Sequence, residues 1–321
     1  LMPQLLSGDP EILATELGRK WYDELMTGDQ DRIFDTAMEI VASLSKPDPP
    51  IKSDKAVKNA WNAYTALADR YNDPGRFTAI IGFEYTTMGG NNLHRNVLFR
   101  GDATEANRMV PFSQFDSQNP EDLWQFLDKF KNDTGAEVLA IPHNGNLSNG
   151  RMFSVLTFDG KRLTREIAEL RASLEPIVEV TQIKGDSETH PMLSPNDEFA
   201  DYETWDDANL DGTEVKTKDM LQYEYARSAL KIGLQLEKKL GVNPFKFGMA
   251  GGTDAHTALS AIAEDNFFGK HSGVEPDPHR YEHVVIQSPK DPSLTTYGWQ
   301  QAASGRTAVW ATENTRNAVS Y

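Results

Sequence analysis

Residues 247–259, FGMAGGTDAHTAL, place an aspartate and a histidine directly after an apolar run. Asp254 and His256 are two residues apart, so in extended backbone their side chains project to the same side. A carboxylate and an imidazole in that arrangement can form half of a metal site or an acid–base pair. A turn with a capping aspartate and a surface histidine would show the same spacing. The choice between the two depends on the rest of the chain.

Other apolar segments also lead into side chains that can bind a metal. Glu84 follows AIIGF, His143 follows VLAIP, Glu179 lies within IVEV, and His94 stands at the start of LHRNVLFR. The carboxyl ends of parallel strands gather at one rim of a sheet, where α/β enzymes hold their sites. We therefore expect these side chains to converge. Histidine and carboxylate donors suit zinc, manganese or iron, and for Glu179 a hydrogen bond to a metal ligand is the favoured role.

The elements that would position these residues alternate along the chain. The apolar segments are typical of strands covered on both faces, and segments with helical spacing separate them at 120–132, 164–174 and 218–240. This alternation predicts an α/β fold with a largely parallel sheet. The predicted strands are residues 77–86, 93–100, 137–144, 176–182 and the start of 247–259.

The chain divides by composition into a helical part and an α/β part. Residues 1–75 show helical periodicity, with Asp9 and Ser53 as predicted N-caps. We expect this segment to pack on a domain formed by residues 76–321. An acidic, polar and aromatic stretch around 186–216 is predicted to be an insertion in that domain.

The composition of the chain restricts the chemistry and the partners that are possible for it. The 321 residues contain no cysteine, which excludes disulfides and thiolate chemistry and leaves only nitrogen and oxygen ligands for a metal. The net charge of −16 disfavours nucleic acid and anionic membranes as partners. A small anionic substrate remains compatible with that charge if metal cations sit in the site. No apolar run reaches membrane-spanning length, so no membrane insertion is expected.

Several motifs resemble known families. GFE at 82–84, LHRN at 93–96, PHNG at 142–145 and TDAH at 253–256 resemble the PHP (polymerase and histidinol phosphatase) superfamily. Longer strings resemble DUF3604, a bacterial PHP-like family of unknown function, over nearly the whole chain. These strings are IPHNGNLSNG, EVTQIKGDSETHP, LSPNDEFAD and EDNFFGK.

The resemblance implies a distorted seven-stranded (β/α) barrel with a centre of two or three divalent metal ions that hydrolyses phosphoesters. Carried over motif by motif, Glu84 would be a bridging carboxylate. The further ligands would be His94, His143, Asp254 and His256, and Asp254 would also take part in catalysis. Such a centre clamps the phosphate and activates a water for in-line attack.

The sequence also departs from the superfamily pattern. An H-x-H motif at the first strand and a D-H motif at the second are absent, and no histidine precedes His94. We therefore expect the first two strands and about half of the metal ligands to lie upstream of Leu1. On that expectation the barrel is incomplete at its N-terminus, and these 321 residues alone are nearly inactive.

Further candidates are basic and polar residues in the predicted loops. Arg95, Arg151 and Lys184 could each neutralise a phosphate oxygen, or be solvated surface charges. Asn144 could donate to substrate or serve the turn after His143. His190, in KGDSETHP, could be a ligand or the general acid for the leaving group, or belong to a capped turn before a proline.

These observations favour a metal-dependent phosphomonoesterase or phosphodiesterase. Two alternatives stay open: an amidohydrolase-like enzyme that cleaves C–N or C–O bonds with a similar metal pair, and a degenerate, non-catalytic binding domain. Arg95, Arg151 and Lys184 favour a phosphate-containing substrate over the alternatives. An open barrel edge could be covered by a second copy of the chain, which would make a homo-oligomer. The sequence leaves the compartment open.

Overall fold

The computed structural model describes residues 2–44, 46, 48–256, 263–266, 278–301 and 305–319. Residues 257–259 of FGMAGGTDAHTAL and 267–270 of EDNFFGK lie outside the described residues. The helices are α1 (Met2–Ser7), α2 (Pro10–Leu13), α3 (Glu16–Leu25), α4 (Gln30–Leu44), α5 (Asp54–Tyr71), α6 (Ala103–Ala106), α7 (Pro120–Thr134), α8 (Arg165–Leu174), α9 (Ala226–Leu240) and α10 (Arg316–Val319). The strands are β1 (Ile81–Tyr85), β2 (Arg95–Phe99), β3 (Val138–Pro142), β4 (Ile177–Gln182), β5 (Gly185–Asp186), β6 (Gly248–Gly251), β7 (Val284–Ile286) and β8 (Thr296–Tyr297).

Helices α1 to α5 form the predicted helical segment. Asp9 caps α2 by accepting from the backbone N–H of Glu11 at 2.8 Å, and Ser53 caps α5, as predicted. Thr15 adds a further N-cap, which separates α3 from α2. The segment has a small core of its own, formed by Leu5, Ile12, Trp21, Leu25, Ile40 and Ala56.

The expected parallel sheet is wrong for the first three strands. β1 pairs with β2 and β2 with β3, and both pairs are antiparallel. Only residues 86–94 connect β1 to β2, which suits a hairpin-like return, whereas a parallel crossover needs about a dozen residues or more. In the second sheet β4 pairs with β6 in parallel and with β5 antiparallel. β7 and β8 form a third, two-stranded sheet.

The fold is therefore mixed α/β and is built on small sheets. Within the described residues the strands close no barrel. Strand β3 lies next to β4, which brings the first two sheets side by side.

Two clusters hold the sheets to their helices. Helix α7 begins after Asn119, its N-cap, and Gly135 closes it as a left-handed C-cap with a φ of 72°. Its buried face packs with Trp61 of α5 and the first sheet. Helix α9 packs over the second sheet with Phe153, Phe245 and Val178. Each of these two sheets is thus held on one side by a helix.

Two further predictions need correction. The long helix expected over 218–240 begins at Ala226, after a short 3₁₀ turn at Leu221–Tyr223. The stretch around 186–216 has little regular structure, as predicted, but it is partly packed, because Ala200, Trp205 and Ala208 are buried. No helix in the described ranges has the length and apolar character needed to cross a membrane.

Candidate metal centre

Glu84 and His94 are brought together by the return from β1 to β2. Glu84 lies one residue before the end of β1, and His94 directly precedes β2. Thr87 shapes the loop, since its hydroxyl donates to Asn91 O and accepts from the backbone N–H of Leu93. As a result Nδ1 of His94 lies 3.0 Å from Oε1 of Glu84, and Nε2 lies 3.1 Å from the carbonyl oxygen of Thr87.

His143 reaches the same carboxylate from the end of β3. Its Nε2 is 3.2 Å from Oε1 of Glu84, and its backbone N–H donates to His94 O. The two imidazole rings meet edge to face, with centroids 5.6 Å apart. One donor atom from each of Glu84, His94 and His143 lies within 4.8 Å of those of the other two. We refer to these three residues as the Glu–His–His cluster.

The charge states in this cluster are those of metal ligands. Burial opposes ionisation of Glu84, but hydrogen bonds from His143 and His94 outweigh it and hold the pKa of the carboxyl well below its usual range. Burial lowers the pKa of His143, and the nearby charges of His94 and Lys184 lower it further, while Glu84 opposes both. An ionised carboxylate beside a neutral imidazole is the state that metal binding requires.

The residues present fit a divalent cation. Ligand atoms at about 2.1 Å from a metal are separated by about 3.0–3.4 Å in tetrahedral or octahedral geometry, and the Glu84–His94 and Glu84–His143 separations of 3.0 and 3.2 Å match this spacing. Nδ1 of His143 is buried and has no hydrogen-bond partner among the described residues. Native proteins rarely leave such an atom unpaired. The side chains of His94 and His143 are 9% and 1% exposed, whereas Glu84 keeps 30% and can be reached from solvent.

Asp254 is engaged by a lysine in this structure. The ammonium of Lys184, after β4, forms an ion pair with Oδ2 of Asp254, after β6, and both side chains are largely buried. Asp254 adopts a left-handed φ of 53°. His256 is more exposed, and its Nδ1 is 2.7 Å from Asp254 O. Sequence analysis proposed both a metal ligand at Asp254 and an anion contact at Lys184, but it did not anticipate that they would pair.

Glu179 lies beside the same loop. It is buried on β4, and its Oε1 is 2.7 Å from where a Cβ of Gly252 would be, so a side chain at Gly252 would collide with the carboxylate. Glu179 therefore belongs to the surroundings of Asp254 and lies outside the Glu–His–His cluster.

Arg95 and Arg151 lie away from these groups. Arg95 points to the opposite face of β2 from His94, as neighbours on a strand do, and its Nε donates to Oε1 of Glu175 at 2.9 Å. Its side chain is 2% exposed and is fully used in this core ion pair. Arg151 is exposed after the 3₁₀ turn Gly145–Leu147. We therefore leave Arg95 out of the site proposed below.

His190 is built into a separate polar cluster. Its Nε2 is 2.7 Å from Oδ2 of Asp206, its Nδ1 accepts from the backbone N–H of Met192 at 3.1 Å, and its ring lies 5.4 Å from that of Tyr225. The Met192 contact places the ring proton on Nε2, facing Asp206. Sequence reasoning missed Asp206 because it lies in the acidic insertion, where many carboxylates share the same spacing.

The remaining predicted residue, Asn144, is buried beside His143. Its Oδ1 accepts from Nε2 of Gln182 at 2.8 Å, while its Nδ2 has no partner among the described residues. Gln182 and Asn92 were missed by sequence analysis. Both are polar residues beside predicted ligands, and no spacing rule distinguishes them from turn residues.

The mixed α/β fold carries the Glu–His–His cluster at its strand ends. These two features place the chain in the class of candidate metal-binding α/β proteins. The chain matches the family described as "Protein of unknown function (DUF3604)" over residues 1–320, and it belongs to that family. No curated protein and no solved structure matches the chain.

Proposed function

We propose that this chain is a metal-dependent hydrolase of phosphoesters of the PHP type. The Glu–His–His cluster is the observation that carries the proposal. Glu84, His94 and His143 would hold a divalent cation, with Asp254 and His256 as further ligands. A bound cation would act there as a Lewis acid and lower the pKa of a water molecule.

The chain's own groups have distinct roles in this proposal. The ionised carboxylate of Glu84 and ring nitrogens of His94 and His143 would supply the donor atoms. The ammonium of Lys184 would neutralise charge on a phosphate oxygen, since its charge acts on His143 and it contacts Asp254. Burial of the two histidines excludes water from the inner side of the site, while the exposure of Glu84 leaves an entry from solvent.

The finer fold assignment belongs to the same proposal. We place the chain in the PHP superfamily and regard the two sheets that meet at β3 and β4 as part of its distorted barrel. The parallel pair β4 and β6, with ligands in the loops after both strands, supports this placement. The antiparallel pairing of β2 with β1 and β3 is the feature of the fold that this placement must explain.

A non-catalytic binding domain is the second candidate. The Lys184–Asp254 ion pair favours it, because a lysine already compensates a carboxylate that catalysis would need for a cation. In that case the chain would bind anions or a partner without hydrolysing them.

The test combines metal analysis with hydrolysis. The purified chain, stripped with EDTA, is titrated with Zn²⁺, Mn²⁺ and Fe²⁺. It is then assayed against p-nitrophenyl phosphate, bis(p-nitrophenyl) phosphate and a p-nitroanilide. Glu84→Gln should abolish both metal binding and phosphoester hydrolysis, and Glu169→Gln, an exposed carboxylate on α8, should change neither. Metal binding without hydrolysis of any ester would favour the binding domain, and cleavage of the anilide alone would contradict phosphoester specificity.

A further inference from the structure

The orientation of the Asn144 amide is determined by a chain of hydrogen bonds. The backbone N–H of Lys184 donates to Oε1 of Gln182 at 3.0 Å, and a backbone N–H can only donate. The other end of the Gln182 amide must therefore be its Nε2, which donates to Oδ1 of Asn144 at 2.8 Å. Since the oxygen of Asn144 faces Gln182, its Nδ2 must face away.

The Nδ2 group of Asn144 is a donor that finds no acceptor in the part of the chain that the structure describes. Asn144 and Gln182 are each 1% exposed, and Nδ2 has no hydrogen-bond partner among the described residues. Buried amide groups in folded proteins are nearly always paired. An oriented, unpaired N–H₂ group therefore indicates an oxygen atom that the protein is built to receive.

The position of Asn144 indicates what that oxygen belongs to. Asn144 follows His143, a member of the Glu–His–His cluster, and the same hydrogen-bond chain ends at Lys184, whose ammonium contacts Asp254. The chain ends at the backbone N–H of Lys184, and the Lys184 ammonium is close enough to His143 to lower its pKa. Two groups that favour negative charge, an amide N–H₂ and an ammonium, thus belong to residues near His143. A phosphate-type oxyanion is the chemistry that both would recognise.

We propose that Gln182 is a positioning residue that turns the amide of Asn144 so that Nδ2 donates to an oxygen of a phosphate-type anion. This inference rests on the proposed function and adds to it the group that orients the substrate. A buried water molecule is the alternative acceptor for Nδ2. The experiment must therefore distinguish a phosphate oxygen from a water molecule at this position.

The informative variant is Gln182→Glu, which replaces the fixed donor by an acceptor. One carboxylate oxygen would still accept from Lys184 N, while the other would attract Nδ2 of Asn144 and reverse its amide. The oxygen of Asn144 would then face the anion and repel it. We expect inorganic phosphate to bind at least about tenfold more weakly, since a hydrogen bond to a charged group is lost. Gln222→Glu, at an exposed position, adds the same charge and should have little effect.

Phosphate affinity is measured by calorimetry with and without EDTA, together with the metal content of each variant. Equal affinity in wild type and Gln182→Glu, or no phosphate binding by the wild type, would overturn the inference. If the wild-type chain bound phosphate but no metal, the result would contradict the proposed function and leave the inference about Gln182 intact.

A second measurement avoids dependence on the folding of the variant. The wild-type chain is labelled with ¹⁵N-asparagine, and the side-chain N–H₂ resonances of Asn144 are assigned with Asn144→Asp. Phosphate should shift them at the concentrations at which it binds. Bound phosphate with unshifted Asn144 resonances would mean that Nδ2 pairs with water only, and the inference would fail.

Discussion

Glu84 and His143 lie on strands that are not neighbours, yet Oε1 of Glu84 is 3.2 Å from Nε2 of His143. Strand β2 runs between them, and adjacent strands are about 4.8 Å apart. His94 fills the space between the two, because the antiparallel register sets it across from the end of β3. The cluster is therefore a consequence of strand direction: three residues far apart in sequence become one row of donors.

This geometry predicts that His143 and His190 differ in metal binding although both are buried. His143→Gln should lower the affinity for Zn²⁺ or Mn²⁺ by a factor of about 100, since loss of a ligand removes a direct metal bond. His190→Gln should leave metal affinity unchanged, because His190 contacts Asp206 and not the cluster. Calorimetric titration of the two variants measures the difference. Equal losses would show that the metal, if bound, lies elsewhere.

Lys184 is expected to compete with a cation for Asp254. Lys184→Met removes the ammonium that now pairs with Oδ2 of Asp254, so divalent metals should bind about tenfold more tightly, or ~1.4 kcal/mol. Phosphate should bind more weakly to the same variant, because the ammonium proposed to contact it is lost. Lys246→Met, at an exposed site, is the matched control. Weaker metal binding in Lys184→Met would show that the ion pair supports the site and does not compete with it.

Local signals in the sequence were sufficient to predict much of the fold. The caps at Asp9, Ser53 and Gly135 depend on a few neighbouring atoms, so they could be identified without tertiary information. The strand positions followed from apolar runs. Glu84, His94 and His143 could be chosen because ionisable residues beside buried strands are uncommon.

Strand direction could not be read in the same way. A buried strand is apolar whether its neighbour is parallel or antiparallel. The hydrophobic pattern of the sequence therefore could not predict that β2 runs antiparallel to β1. For the same reason Arg95 was assigned to the site: its neighbour His94 is there, but alternation turns Arg95 to the other face. The Lys184–Asp254 pair depends on the β4–β6 register, which only the folded chain specifies.

Glu175 should be among the most sensitive positions for stability. Its carboxylate accepts from Nε of Arg95, Nε of Arg171 and Nε1 of Trp124, and all four side chains are buried. Burial lowers the pKa of Arg171 to about 10, which shows how strongly the site resists an unpaired charge. Glu175→Ala would leave two buried guanidinium groups without their shared partner, at a cost of about 3–5 kcal/mol.

Urea unfolding followed by circular dichroism measures this cost. Glu169→Ala on α8, the helix that Glu175 follows, removes an exposed carboxylate paired with Arg165 and should cost about 0.5 kcal/mol or less. A loss below about 1 kcal/mol in Glu175→Ala would contradict the assignment of Glu175 as the centre of this buried ion-pair network.

The buried carboxyl group of Asp186 should make the stability of the protein depend on pH. Burial raises the pKa of its carboxyl to about 6, from an ordinary value of 3.8, although backbone N–H groups of Glu188 and Thr189 oppose the shift. Between these two values the folded state holds a proton that the unfolded state has released. The free energy of unfolding should therefore fall as pH rises from about 4 to 6 and be unaffected by this group above that range. A shift of this size corresponds to less than ~3 kcal/mol.

Asp186→Asn keeps an oxygen that can accept from the backbone N–H of Glu188, although its Nδ2 cannot accept from Thr189, and it cannot ionise. The substitution should therefore remove this part of the pH dependence. Urea midpoints of wild type and variant are measured from pH 4 to 7.5. Between about pH 4 and 6 the wild-type midpoint should fall more steeply with pH than that of the variant. Other titrating groups contribute equally to both proteins, and Asp159→Asn, at an exposed turn, controls for the lost charge. Parallel curves for wild type and Asp186→Asn would mean that the Asp186 carboxyl ionises in the fold as it does in the unfolded chain.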